Sequence, residues 1–514
     1  MKSVRRSALL LCAAATATTV LAAVAASPTQ AAPRRPAPAA QQTTRQAGAS
    51  TLGWHTCQNS GLRAAGLQCA TLAVPLDYAH PRGRTIKLAL TRLKHTSSDY
   101  QGVVLTNPGG PGGSGRGLAT IGRAIPNGVG ADYDWIGFDP RGVGASQPHI
   151  SCDNTYFGFD RPNYAPTAKD VRVWKKRARD YAQACARKNG AILGHLTTID
   201  SARDMDSIRK ALGVDRINYY GYSYGTYLGQ VYATLFPTHV RRMVLDSNVN
   251  AHRIWYAANL DQDRAFNRNL NIWFGWLARH HATYHLGRTK QAVHHLWYSI
   301  RAKLAAKPDG KIGPDEWTDT FIQAGYYQLT WLDQARVFAG YVHHHDVAAL
   351  VRAYKDADGY GNDNNYAVYL GVQCSDIQWP RKWSTWLADN TRVSKGSPFE
   401  TWANAWYNAP CLYWPAKAHK PVTVDGKGVA PILLVDQTLD AATPYHGSIV
   451  TRSLFPKSRL IAEPGGTSHA VTMSARNNCV DDKIAAYLRD GTLPARKSGN
   501  RADATCKPLP EPTP

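Results

Sequence analysis

Short apolar runs alternate with longer amphipathic stretches over residues 102–246. The runs are five or six residues long and lie at 102–106, 134–139, 216–220 and 242–246. A charged amphipathic stretch at 171–188 predicts a surface helix. A second helix is predicted at about 200–212, with Asp200 or Ser201 as its N-cap and Gly213 as its stop. Because parallel strands are short and apolar and need helical crossovers, this alternation predicts an α/β fold with a mostly parallel, doubly wound sheet.

Two further features complete the predicted architecture. Residues 72–78 and 84–93 alternate around a turn and predict an antiparallel edge of the sheet. From about 250 to 425 the pattern becomes helical and rich in Trp and Tyr, and strand-like runs return at 430–436 and 459–462. We therefore predict a core formed by 51–249 and 426–514, interrupted by a mainly helical cap at 250–425.

The first 31 residues have the pattern of a secretory leader. Lys2, Arg5 and Arg6 precede an apolar run from 8 to 26, and a small-x-small pattern ends at Ala31. Residues 32–50 are rich in Ala, Pro, Gln and Arg, which predicts a disordered arm or a pro-segment. The sequence therefore predicts an extracellular protein cleaved near Ala31, with no membrane-spanning segment.

Removal of the leader leaves an even number of cysteines. An even count in an exported chain favours disulfides, and the cysteines fall into pairs that are local in sequence. The predicted pairs are Cys57 with Cys69, Cys152 with Cys185, Cys374 with Cys411, and Cys479 with Cys506. No Cys-x-x-Cys motif is present, and no Glu stands between His281 and His285 as in the H-E-x-x-H motif, so no metal is expected.

The formal net charge is +23, of which three positive charges lie in the leader. Such a charge favours anionic partners, including cell-wall polymers, and a non-catalytic cell-wall binder is one alternative function. The basic residues are scattered, without a long Lys/Arg run or a nucleic-acid-binding motif. We therefore expect a monomer that binds neither nucleic acid nor membranes and requires no cofactor.

Residues 221–225 (GYSYG) form a G-x-S-x-G motif between a predicted strand and a predicted helix. In that setting the two glycines allow a sharp turn that presents the serine oxygen, which makes Ser223 the candidate nucleophile. A nucleophilic serine needs a base and an acid, which follow it in the order acid, then histidine. Asp440 follows the strand at 430–436, with Asp436 as the nearby alternative, and His469 follows the last strand.

A glycine-rich loop at 107–115 (NPGGPGGSG) follows the strand at 102–106. It lacks the lysine of a phosphate-binding P-loop and the G-x-G-x-x-G spacing of a dinucleotide site. Its backbone N–H groups can instead form part of an oxyanion hole. We expect the two donors to be the N–H of Gly110 and that of Tyr224.

Motifs spread over nearly the whole mature chain resemble those of the secreted actinobacterial tripeptidyl aminopeptidases, α/β-hydrolase relatives of the prolyl aminopeptidases. They include residues 107–115, 139–144 (DPRGVG), 221–227 (GYSYGTY), 440–444 (DAATP) and the late His469. The resemblance implies a serine peptidase triad and the release of short peptides, typically tripeptides, from free N-termini. Residues 246–250 (DSNVN) depart from the family, in which a Gly-containing turn leading to Asp-Pro is expected here.

An aminopeptidase must bind an ammonium group, and a buried carboxylate in the cap is suited to that task. Asp376, beside Cys374, is the first candidate and Glu463, near His469, is the second. Because relatives of this family include esterases, a secreted carboxylesterase of the same fold is the alternative function.

Overall fold

The computed structural model describes residues 51–159, 161–164, 166–357 and 360–514. The predicted leader at 1–31 and the whole of the predicted arm at 32–50 lie outside these residues. The described strands form one ten-stranded sheet in the order β1-β2-β3-β5-β4-β6-β7-β8-β9-β10. The strands are β1 (His55–Thr56), β2 (Gln68–Pro75), β3 (Thr85–Leu93), β4 (Val103–Asn107), β5 (Asp134–Asp139), β6 (Ile217–Tyr222), β7 (Val240–Asp246), β8 (Leu433–Gln437), β9 (Arg459–Glu463) and β10 (Ala504–Thr505).

The sheet changes from antiparallel to parallel after its first strands. Strands β1, β2, β3 and β5 pair antiparallel in that order, and every pair from β5 onward is parallel. This confirms the predicted antiparallel edge and the mostly parallel α/β sheet. The register aligns Asn107 with Gly221, Asp246 with Val435, and Asp436 with Ala462. The carboxyl ends of β4, β6, β7, β8 and β9 therefore share one edge, called here the catalytic edge.

Helices cover the sheet and fill the interval between β7 and β8. The helices of the sheet region are α1 (Ser60–Ala64), α2 (Ala168–Asn189), α3 (Thr198–Ala211) and α4 (Tyr224–Leu235), followed after the cap by α14 (His446–Leu454) and α15 (Asn478–Asp490). The cap, as named here, comprises α5 (Tyr256–Arg279), α6 (His281–Tyr284), α7 (Lys290–Ala306), α8 (Pro314–Tyr326), α9 (Trp331–His344), α10 (Val347–Ala357), α11 (Asn364–Asp376), α12 (Trp383–Ser394) and α13 (Thr401–Asn408). Short 3-10 helices lie at Arg116–Ala124, Pro126–Asp132, Gly190–His195, Pro237–His239, Gln328–Thr330 and Ala409–Leu412.

The second predicted helix, α3, begins earlier than its sequence suggests. Thr197 is its N-cap, and its hydroxyl accepts a hydrogen bond from the N–H of Asp200 at 3.0 Å. Asp200 is therefore inside the first turn, where a carboxylate favours the helix N-terminus, and the predicted cap was wrong by three residues.

The cap helices pack in two ways. Helices α5 and α7 to α10 surround an aromatic core of their own, which includes Trp273, Trp297 and Trp317. Helices α11 to α13 instead join the main core, where Trp406 stacks on Trp174 of α2. Helix α2, which the sequence assigns to the core, thus supports part of the cap; the predicted limits of 250 and 425 stay a prediction.

Four disulfides join the cysteines in the expected pairs: Cys57–Cys69, Cys152–Cys185, Cys374–Cys411 and Cys479–Cys506. The third of these closes α11 onto the 3-10 turn that follows α13, so it fixes the part of the cap nearest the main core. Within the described ranges, no helix has the length and apolar character needed to cross a bilayer.

Candidate active site

Ser223 lies in the turn between β6 and α4 with φ 56° and ψ −126°, a conformation that side chains rarely adopt. The turn is tight because a Cβ on Gly221 would lie 2.6 Å from the carbonyl oxygen of Gly225, and one on Gly225 would lie 2.7 Å from that of Asn107. Both glycines are thus required by close backbone approach. The elbow presents the Ser223 side chain, which is partly exposed, to the cavity above the catalytic edge.

His469 and Asp440 meet at the same edge. The Nδ1 of His469 lies 2.8 Å from Oδ2 of Asp440, and both side chains are buried. Because an ionised carboxylate can only accept, Nδ1 carries the proton and Nε2 is left as the basic nitrogen. The other Asp440 oxygen accepts from the N–H groups of Ala442 at 2.8 Å and Thr443 at 3.0 Å. The acid is therefore held in one orientation by its own loop.

Asp436, the alternative acid, is also buried but does not contact His469. Its Oδ2 accepts from the Ser448 hydroxyl at 2.5 Å, and its Oδ1 has no partner among the described residues. Burial, with the charges of Asp440 and Asp246 nearby, raises the pKa of Asp436 well above its usual value. Because Asp436 does not contact His469, the geometry favours Asp440 as the partner of His469.

The glycine-rich loop brings its backbone against the elbow. A Cβ on Gly109 would lie 2.6 Å from the oxygen of Tyr222 and 2.8 Å from the Cβ of Ser223. The Gly109 N–H donates to Oδ1 of Asn107 at 2.9 Å. Gly110, with φ 112°, lines the cavity together with Ser223 and Tyr224. The two residues expected to supply the oxyanion donors therefore line the same cavity as the nucleophile.

The departure at 246–250 also has a structural role that the sequence did not suggest. The carbonyl oxygen of Asp246 accepts from the Ser223 N–H at 3.1 Å, and its carboxylate accepts from the N–H and hydroxyl of Thr472. Ser247, buried with φ 66°, accepts from the Ala470 N–H at 2.8 Å. Asp246 and Ser247 thus connect the serine turn with the loop that carries His469.

One cavity of about 820 Å³ lies between the catalytic edge and the cap. Ser223, Gly110 and Thr443 form part of the edge wall. The cap contributes aromatic groups and three carboxylates to the opposite side: Tyr326, Tyr369, Tyr407, Asp261, Asp319 and Glu400. Arg161, Arg253 and Arg264 also line this cavity, so the space reached by Ser223 has apolar, acidic and basic groups around it.

The three cavity carboxylates differ in their partners. Asp319 accepts from Arg161 at 2.7 Å and from the Tyr164 hydroxyl at 2.8 Å. Asp261 pairs with Arg253 and lies 3.6 Å from an Arg264 nitrogen. Glu400 is 4% exposed, and no donor among the described residues hydrogen-bonds to its carboxylate.

Neither residue predicted to bind a substrate amino group lines the cavity. Asp376 accepts from the N–H and hydroxyl of Thr198, at 2.7 and 2.6 Å, and from Trp255 at 3.2 Å, and burial raises its pKa to about 6. Glu463 accepts from Asn477 at 2.6 Å, and burial raises its pKa to about 7. Both carboxyl groups are occupied by the fold, so the geometry does not support the predicted role.

Glu400, the cavity carboxylate without a hydrogen-bond donor among the described residues, belongs to no sequence motif. Glu400 stands in the segment 397–402 (SPFETW), where only the folded cap shows that its side chain reaches the cavity. Within the described part of the chain, no group of three or more His, Cys, Asp or Glu side chains is arranged to hold a metal ion.

Comparisons with known proteins agree with this architecture. A family model described as alpha/beta hydrolase fold matches residues 102–470, a span that contains the Ser223 turn, Asp440 and His469. The chain therefore belongs to the α/β-hydrolase family.

Individual relatives identify a narrower family for this chain within the α/β hydrolases. The chain is 43% identical to a tripeptidyl aminopeptidase of Streptomyces lividans, over 93% of this chain and 91% of the relative. It is 30% identical to serine protease Hip1 of Mycobacterium tuberculosis, over 86% and 89% of the two chains. It is 32% identical to carboxylesterase B of the same species, over 86% and 88%. The chain belongs to the tripeptidyl aminopeptidase family and is a serine hydrolase of the peptidase type.

Proposed function

We propose that this protein is a serine exopeptidase that releases short peptides, typically tripeptides, from free N-termini. The observation that carries the proposal is the cavity that joins the Ser223 turn to Glu400 and the aromatic groups of the cap. Its volume of about 820 Å³ falls within the range of roughly 300–1,000 Å³ typical of sites for small ligands. A short peptide fits such a space, whereas a folded protein chain does not.

In the proposed reaction the Ser223 hydroxyl attacks the carbonyl carbon of the scissile amide while its proton passes to Nε2 of His469. The negative oxygen that forms is stabilised by the N–H groups of Gly110 and Tyr224. Collapse of the tetrahedral intermediate breaks the C–N bond, and His469 gives its proton to the departing amine. Water then repeats the sequence on the acyl-enzyme, which frees the peptide and restores Ser223.

Asp440 acts on this reaction through His469. Its bond to Nδ1 fixes the tautomer in which Nε2 is basic, and its charge stabilises the imidazolium formed during each proton transfer. The donors from Ala442 and Thr443 hold the carboxylate in place, so no reorganisation is needed when the charge appears.

A secreted carboxylesterase is the second candidate, because the acyl-enzyme chemistry is the same and one relative carries the name carboxylesterase B. We also propose that the chain is exported and acts as a monomer. Four disulfides support export, since such bonds form and persist in oxidising environments.

A peptide ladder tests the proposal. Peptides of four to ten residues, each with a free and an N-acetylated form, are incubated with the protein and with Ser223→Ala, and the products are read by mass spectrometry. We expect loss of an N-terminal tripeptide from the free forms only. Cleavage of acetylated peptides would contradict the exopeptidase, and turnover of simple esters alone would favour the esterase.

A further inference from the structure

Glu400 is a buried carboxyl group to which no described residue donates a hydrogen bond. It occupies the N-cap position of α13, but its side chain makes no capping hydrogen bond and lines the cavity instead. A buried carboxylate that lacks donors is costly, because nothing replaces the water it has lost. Within the described residues, Glu400 therefore stands out among the cavity acids as the group left for a ligand.

The surroundings of Glu400 add negative charge. Asp263 of α5 is 1% exposed and accepts one hydrogen bond, from Asn404 at 2.8 Å. Asp263 and Asp319 are the charged groups that act on Glu400, and both are acids. The Arg161 guanidinium lies on Asp319 at 2.7 Å and on Glu316 at 3.4 Å. The local field around Glu400 thus favours a cation.

We propose that Glu400, with Asp263 behind it, binds the α-ammonium group of the first residue of the peptide. This inference rests on the proposed exopeptidase function and deepens it. An ammonium group supplies one positive charge and three N–H donors, which match a carboxylate that has lost its solvent and has no other donor.

The same group of acids also determines whether Glu400 and Asp263 hold a proton. Burial and the neighbouring acids raise the pKa of Glu400 well above its usual value and that of Asp263 to about 8. At neutral pH the free enzyme therefore keeps a proton on the pair, and an arriving ammonium displaces it. The other titratable groups that face Glu400 are Asp319, Tyr326 and Tyr369, of which the two tyrosines stay neutral.

The test compares a tripeptidyl coumarin amide with its des-amino analogue, which lacks only the α-amino group. The wild type should prefer the free amine by on the order of 100-fold in kcat/KM, the range expected for a buried charge pair. Glu400→Gln should abolish that preference, because kcat/KM for the free amine falls towards that for the des-amino substrate. Asp333→Asn, at an exposed acid of the cap, should keep it. Retention of the preference in Glu400→Gln would overturn the inference.

Two further readouts separate this inference from the proposed function. A serine-directed fluorophosphonate should label Glu400→Gln as fast as the wild type; absence of labelling in the wild type would instead contradict the serine mechanism itself. Calorimetry of trialanine binding to wild type at pH 7, in two buffers of different ionisation enthalpy, should show proton release. The des-amino analogue should show none, and equal release by both ligands would also overturn the inference.

Discussion

At the catalytic edge Asp440 accepts hydrogen bonds from two backbone N–H groups, a hydroxyl and His469, whereas across the cavity Glu400 accepts none from the described residues. Both groups are buried acids. The edge acid must hold a fixed geometry through every proton transfer, so the fold supplies all its donors. The cap acid must meet a donor that arrives with the substrate, so the fold leaves it open. Asp440 and Glu400 thus differ in their hydrogen bonds in the way that their proposed tasks require.

The largest effect is expected from a substitution of Asp440 at the catalytic edge. Asp440→Asn keeps the shape of the side chain but favours the wrong His469 tautomer, so kcat should fall by about 10⁴-fold. Asp436→Asn is the matched control, because that buried carboxyl group contacts Ser448 and not His469. Steady-state kinetics on one peptide amide should show less than about 10-fold loss for the control. Equal losses in the two variants would contradict the assignment of Asp440.

The next effect concerns the loop that presents the oxyanion donors. Gly109→Ala places a Cβ 2.6 Å from the Tyr222 oxygen, so the loop must move and kcat should fall by on the order of 100-fold. Gly491→Ala is the control, since Gly491 also has a positive φ, 86°, but no atom within 4 Å of the added Cβ. The control should lose only about 1 kcal/mol of stability and no activity. A fully active Gly109→Ala enzyme would remove the loop from the mechanism.

A smaller effect is expected where the serine turn and the histidine loop are connected. Ser247→Ala and Ser247→Gly both remove the hydroxyl that accepts from the Ala470 N–H, so both should lower kcat by about 10-fold with little change in KM. Glycine also relieves the positive φ of 66°, so its thermal midpoint should exceed that of the alanine variant. If activity follows the thermal midpoint instead, Ser247 stabilises the fold and does not position His469.

The smallest expected effect is on the way in which the free energy of unfolding changes with pH. Burial raises the pKa of Glu463 from its ordinary 4.5 to about 7, so between these values the folded state holds a proton that the unfolded chain has lost. The free energy of unfolding contributed by this group therefore falls as pH rises from about 4.5 to 7. Between pH 5 and pH 8 the free energy of unfolding should therefore fall less in Glu463→Gln than in the wild type, by on the order of 2 kcal/mol. Denaturant unfolding at the two pH values measures this difference. An unchanged pH slope would show that Glu463 titrates normally.

The two sides of the cavity also differ in how far the sequence predicts them. Ser223, Asp440 and His469 follow strand ends, and strand ends in a parallel sheet meet at one edge, so their proximity could be inferred from the chain order. The cap offers no such rule. The sequence favours Asp376 because a disulfide lies beside it, but its oxygens accept hydrogen bonds from Thr198 and Trp255. Glu400 instead reaches the cavity because α13 packs against α5. Long-range helix packing determines which acid faces the substrate, and no local pattern encodes it.

The central claim is that Ser223 forms the acyl-enzyme, and mapping of the adduct tests it most directly. The wild type is treated with a fluorophosphonate, digested and sequenced by mass spectrometry, alongside Ser223→Ala and the exposed-serine control Ser498→Ala. We predict one adduct per chain on the peptide that contains Ser223, retained in Ser498→Ala and absent from Ser223→Ala, which should also lose peptide release. An adduct on another serine, or peptide release by Ser223→Ala, would contradict the account.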